Sequence, residues 1–163
     1  MILLTYIQTH DSIFKAVKQE SSYLAKRLTD GQGDSKFEDM VFDEAYLTLF
    51  RGLFFDARSN VSSACAAYLK DVVDITYFDQ GNFDHEKDFI LQLNMSDNFI
   101  VAMNNNVDIK MKEYLVAYIM YRWLETKSQE SGLYLQRAET HLQDMKRFLE
   151  MRKSRKIKNN SPW

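Results

Sequence analysis

A single cysteine, Cys65, rules out an intrachain disulfide and leaves any cysteine-based zinc site short of ligands. Free cysteine is among the most buried residue types. Cys65 lies in NVSSACAAYLKDVV, in phase with Val61, Tyr68 and Val72, and so reads as a small residue on a buried helix face. Proline occurs once, at Pro162, and glycine five times, too few turn formers for a many-stranded β fold. No apolar run approaches the ~20 residues that a membrane span needs. The apolar start, MILLTYIQTH, lacks the basic flank and small-residue cleavage pattern of a secretory signal, so the chain is expected to stay in the cytoplasm of the cell that makes it.

The three histidines, His10, His85 and His141, are too widely spaced for the i, i+4 pairing of helical zinc sites. His85 sits among Asp79, Asp84, Glu86 and Asp88, but that run lacks the alternating ligand spacing and turn glycine of a calcium loop, and it reads as a solvated acidic loop. The glycines build no GxGxxG or GxxxxGK phosphate cradle, and no GxSxG elbow occurs. The residues therefore point to no catalytic set, no metal and no cofactor, and the expectation is that the protein is not an enzyme.

What the chain has is aromatic residues and helical periodicity. Its 163 residues suit one domain, large enough to bury about 70% of its unfolded surface. Nine Tyr, eleven Phe and two Trp are distributed along it. The most ordered pattern runs from Asp108 to Lys153, where two apolar-periodic runs, one ending near Lys127 and the other starting near Glu130, predict an antiparallel helix pair. In the first, Met111, Leu115, Tyr118 and Arg122 share one face, and Tyr114, Tyr118, Tyr121 and Glu125 the adjacent one. In the second, Leu135, Ala138, Leu142, Met145 and Leu149 follow a/d spacing, which predicts that Leu142 is buried in the seam.

The overall class expected is mainly α: a helical bundle with this C-terminal pair and a short β hairpin or strand insertion around 75–95. Asp11 or Ser12 is placed to cap a first helix facing inward through Ile13, Val17, Leu24 and Leu28, ended by Gly31 and Gly33. The capping-box spacing of Ser35 and Glu38 opens a second, FEDMVFDEAYLTLFRGLFFDAR, with Gly52 implying a closely packed neighbour or a kink. Ser59 or Asn60 is expected to cap a third, facing inward through Val61, Cys65, Tyr68, Leu69 and Val72. Alternation of Phe89, Leu91, Leu93 and Met95 predicts a strand, paired with residues 75–78 or completed by another subunit. Ser96 or Asp97 is read as the cap of a short helix ending at Asn104–Asn106.

Two features bear on partners. One helix cannot hide every side of IKMKEYLVAYIMYRWLE in so small a domain, and Tyr and Trp combine apolar area with a polar handle, so Tyr114, Tyr118, Tyr121 and Trp123 are candidate subunit-interface residues. Between Lys146 and Lys158 seven cations stand against Glu150 alone, although the whole chain carries −2, so the body is acidic and the tail basic. Residues 1–153 are read as the helical domain and 154–163 as a basic arm. Arg152, Lys153, Arg155, Lys156, Lys158 and Trp163 are its candidate docking residues for an acidic protein surface or a phosphate backbone.

The chain resembles head–tail connector (adaptor) proteins of tailed bacteriophages, particularly those of phages and prophages of Bacteroidetes. The resemblance is carried by LQLNMSDNF (Leu91–Phe99), by EYLVAYIMYRWLE (Glu113–Glu125) and by the spacing of Glu130, Tyr134 and Ala138 ahead of FLEMRKSRK. It covers about the C-terminal half; the acidic, aromatic first half has no counterpart motif. The resemblance implies a structural virion protein at the head–tail neck, assembled in the host bacterial cytoplasm. Its implied partners are further copies of itself in a ring, commonly twelvefold, the portal protein with other neck or tail proteins, and genomic DNA passing through the channel without sequence-specific contact. No membrane is involved. The alternative class is a bacterial helical protein- or nucleic-acid-binding module acting through its basic tail.

Overall fold

The computed structural model describes residues 1–29, 39–69 and 88–153. Their elements, in chain order, are strand β1 (Ile2–Gln8), helix α1 (His10–Thr29), helix α2 (Leu47–Ala64), strand β2 (Phe89–Met95), helix α3 (Asn104–Thr126) and helix α4 (Gly132–Glu150). The fold is mainly α with one two-stranded antiparallel sheet, as expected from the scarcity of turn formers and from the alternation in β2. No described helix is long and apolar enough to cross a membrane.

The antiparallel pair is the longest packed seam: α3 runs from Asn104, and α4 returns against it through Tyr134, Ala138, Met145 and Leu149. Leu142 departs from the expected burial. It is only partly buried, because Tyr134, not Leu135, leads the inward stripe and turns Leu142 to the seam's margin. The turn between the helices has no glycine. Ser128 takes a left-handed conformation (φ 53°), and its N–H and that of Gln129 donate to the Glu125 and Leu124 carbonyls at 3.1 and 3.0 Å, closing the end of α3.

Around this pair the N-terminal half corrects several expectations. The partner of β2 is β1, in register from Ile2 opposite Met95 to Gln8 opposite Phe89. The expected pairing with residues 75–78 lies outside the described residues, as do the Gly31–Gly33 turn, the Ser35–Glu38 capping box, Val72 and the His85 loop. Helix α1 begins at His10, one residue before the expected caps, with Thr9 Oγ1 accepting the Ser12 N–H at 3.2 Å. It buries Ile13 and Val17; the side chain of Leu28 is not described. The expected second and third helices are one: α2 continues through Ser59 and Asn60, since the Ser59 hydroxyl donates to the Phe55 carbonyl at 3.0 Å and needs no cap role. That helix starts at Leu47, after a short 3-10 turn capped by Asp43, whose Oδ1 accepts the Ala45 N–H at 2.9 Å. Gly52 has no close neighbour: a Cβ there would meet nothing within 4 Å. A 3-10 turn over Val101–Met103 leads into α3, and the Asn104–Asn106 triplet forms that helix's first turn, where the end of a separate helix was expected.

The core is aromatic where α1, α2 and α3 meet. Phe42 packs edge-on against Trp123 with centroids 4.7 Å apart, and Phe14 and Phe50 meet at 5.1 Å. Phe42 is held by a buried hydroxyl: Ser21 Oγ accepts its N–H at 2.8 Å while donating to the Lys18 carbonyl at 3.0 Å. Cys65 is fully buried at the end of α2, and burial pushes its thiol up to about 12.

Candidate interface and the root of the basic arm

The four aromatic residues singled out on α3 separate into two pairs. Trp123 is 1% exposed; it lies against Phe42 and Tyr46, and its Nε1–H donates to the Met40 carbonyl at 2.9 Å. It is therefore an internal clamp on the segment before α2. Tyr114, at 4%, is also buried, and burial pushes its hydroxyl up. Neither has area to offer another chain, so the expected interface narrows to Tyr118 and Tyr121. Helical phase could have set Trp123 apart, since it falls with Met120 and Leu124 on the core side, whereas Tyr114 shares its face with Tyr118 and Tyr121 and only tertiary packing distinguishes it.

Tyr118 and Tyr121 are partly exposed and built into a polar ledge. Arg122 Nη1 donates to Tyr118 Oη at 3.2 Å, and Arg122 Nε meets Glu125 Oε2 at 3.4 Å. Tyr121 Oη donates to Glu125 Oε1 at 2.8 Å, which pushes that hydroxyl up because losing its proton would place two anions together. Asp56 of α2 stands 4.0 Å from Arg122. The hydrogen bond to Tyr118, with these carboxylates nearby, holds the guanidinium still more firmly protonated. The ring centroids of Tyr118 and Tyr121 are 6.2 Å apart, so the face presents two aromatic bodies whose polar ends are already paired.

A second polar system lies where α1, α3 and α4 meet, around a cleft of about 320 Å³ floored by Val116 and Ala117. Glu20 Oε1 accepts from Tyr134 Oη at 2.9 Å and faces Arg137 at 3.6 Å. Burial, then Glu20, raises the Tyr134 hydroxyl to about 12. Glu113 Oε2 receives Lys110 Nζ at 2.7 Å and lies 3.2 Å from His141 Nδ1. Sequence reading missed this system because its members come from three helices. Of the other histidines, His10 is buried edge-on against Phe50 and Phe54, and His85 lies outside the described residues. Among the described residues no cluster of three potential metal ligands occurs.

Only the root of the basic arm is described, and it is fixed to the domain. The Lys153 N–H donates to the Asn98 carbonyl at 2.7 Å, and Arg152 pairs as a single β-bridge with Phe99. The Arg152 guanidinium donates to the Leu149 and Met151 carbonyls and stands 6.0 Å from the rings of both Tyr68 and Phe99. Arg152 thus ends the last helix, capping its free carbonyls as a cation should. Of the expected docking residues, Arg155, Lys156, Lys158 and Trp163 lie outside the described residues. Comparison with protein-family models, with curated proteins and with solved structures finds no match to this chain.

Proposed function

We propose that this chain is a structural virion protein, a head-to-tail connector that assembles as a ring beneath the portal and continues the DNA channel. The observation that carries the reading is the ledge of Tyr118, Tyr121, Arg122 and Glu125. Tyrosine and arginine are the residue types that dominate protein interfaces, and here their polar ends are paired before any partner arrives. A neighbouring copy meeting this ledge with a different surface makes a heterologous contact, the kind that closes into rings. The acidic balance of the body suits a channel that must not cling to translocating DNA. The root of the arm is held at Asn98 and Phe99, which suits a tail whose cations are to meet a neighbouring protein.

Co-expression with the portal protein of the same genome tests this. The wild-type chain should co-purify with the portal ring, and Tyr118→Ala combined with Tyr121→Ala should abolish ring formation while the chain stays folded. A wild-type chain that remains monomeric and ignores the portal would overturn the proposal.

A further inference from the structure

Two cation-forming groups meet at a single carboxylate oxygen on the wall of the cleft between α1, α3 and α4. Glu113 Oε2 receives Lys110 Nζ at 2.7 Å from its own helix, and His141 Nδ1 approaches it from α4 at 3.2 Å. The same Nδ1 stands 3.4 Å from Lys110 Nζ. It cannot serve both neighbours. As a bare acceptor, Nδ1 suits the ammonium and opposes the carboxylate; carrying a proton, it donates to the carboxylate and opposes the ammonium. Whether Nδ1 carries a proton therefore decides which contact is attractive.

We propose that this triad is a proton-operated exchange: when His141 is protonated, Glu113 passes from Lys110 to His141, and Lys110 is displaced toward solvent. A bond within α3 is thereby replaced by one that ties α3 to α4. The exchange needs no opening of the fold. The His141 side chain is 21% exposed, Lys110 25% and Glu113 42%, so the proton arrives from water and the ammonium leaves on its flexible four-carbon stem. The remaining charges around the ring oppose one another in pairs. On α4, Asp144 favours the protonated ring and Arg137 disfavours it; Glu20 of α1 and Lys112 of α3 line the same cleft with opposite signs. Burial lowers the His141 pKa, so the ring is neutral at pH 7 and Lys110 holds Glu113 there. Acidification below about 6.5 reverses the pairing and leaves the cleft one positive charge richer. The triad shares no residue with the Tyr118–Tyr121 ledge and is independent of the connector reading.

Histidine NMR on the full chain, joined to double-mutant cycles in stability, tests the exchange. The His141 ring should titrate below about 6.5 and before Glu113 takes a proton. Cycles built from Lys110→Met, Glu113→Gln and His141→Gln, run at one pH on each side of that midpoint, separate the two pairs. The Lys110–Glu113 coupling should be present above the midpoint and lost below it, whereas the His141–Glu113 coupling should appear only below. Lys110→Met should also raise the midpoint, because it removes the competing cation. The wild type alone gives a second reading, since the Lys110 ε-methylene and Glu113 carboxyl signals should shift together at the His141 midpoint. A His141 that stays neutral until Glu113 itself is protonated would overturn the proposal. So would a Lys110–Glu113 coupling that persists below the midpoint, a midpoint unmoved by Lys110→Met, or wild-type Lys110 and Glu113 signals that ignore the titration.

Discussion

Two residues carry backbone conformations ill matched to their side chains, and opposite substitutions should stabilise both. Ser128 pays for a left-handed φ of 53° that glycine adopts freely, so Ser128→Gly should raise stability by about 1 kcal/mol. Gly52 lies mid-helix with open space where a Cβ would go, so Gly52→Ala should gain about 0.5–1 kcal/mol. Denaturant midpoints measure both, and a loss at either site would contradict the geometry. Neither was legible in the sequence: a serine gives no sign of positive φ, and a helical glycine suggests a close neighbour that is absent. His141 has a lowered pKa, because its burial outweighs the pull of Glu113; Lys110 also lowers it, with Asp144 opposing and Arg137 adding to the lowering. A histidine lowered on folding binds its proton more tightly when unfolded. Its stabilising effect is complete above the unfolded value of about 6.5 and declines as pH falls below it. His141→Gln should therefore shrink the fall in melting temperature between about pH 7 and about pH 5. An unchanged fall would mean that Glu113 compensates for burial.

At the scale of elements, the helix pair was readable because periodicity survives in each run by itself. Its rotation was not: Leu135 and Leu142 fit a/d spacing as well as Tyr134 does, and only tertiary packing chooses between them. The difference is measurable. Leu149→Ala, fully buried, should cost about 2–5 kcal/mol, and Leu142→Ala, at the seam's margin, about 1 kcal/mol. Equal costs would place the seam where spacing alone had put it. Strand β2 showed itself through alternation between buried and exposed residues. Strand β1 did not, since Leu3 and Ile7 outside are as apolar as Leu4 and Tyr6 inside, which erases the period of two. Ser59 and Asn60 suggested a helix boundary because such residues favour caps, yet a hydroxyl bonded to the carbonyl four residues back is accommodated within α2. Trp123 was misassigned for a related reason: composition marks a tryptophan as interface-grade, but the Met40 carbonyl and the Phe42 ring already use it.

For the whole molecule, the root of the arm at Arg152 and Lys153 is part of the domain, whereas the remaining cations begin beyond it. Deleting residues 154–163 should leave the melting temperature unchanged and abolish incorporation into particles. A truncation that keeps incorporation but loses DNA affinity, with the wild type's affinity falling steeply with salt, would favour the nucleic-acid-binding alternative. The central proposal is that copies of this chain close into a ring around a channel, and native mass measurement of the assembly formed with portal protein tests it most directly. The expected result is a closed multiple of the protomer mass, twelve copies by resemblance, lost on combining Tyr118→Ala with Tyr121→Ala. A chain that stays monomeric, or stops at a dimer, in the presence of portal would contradict it.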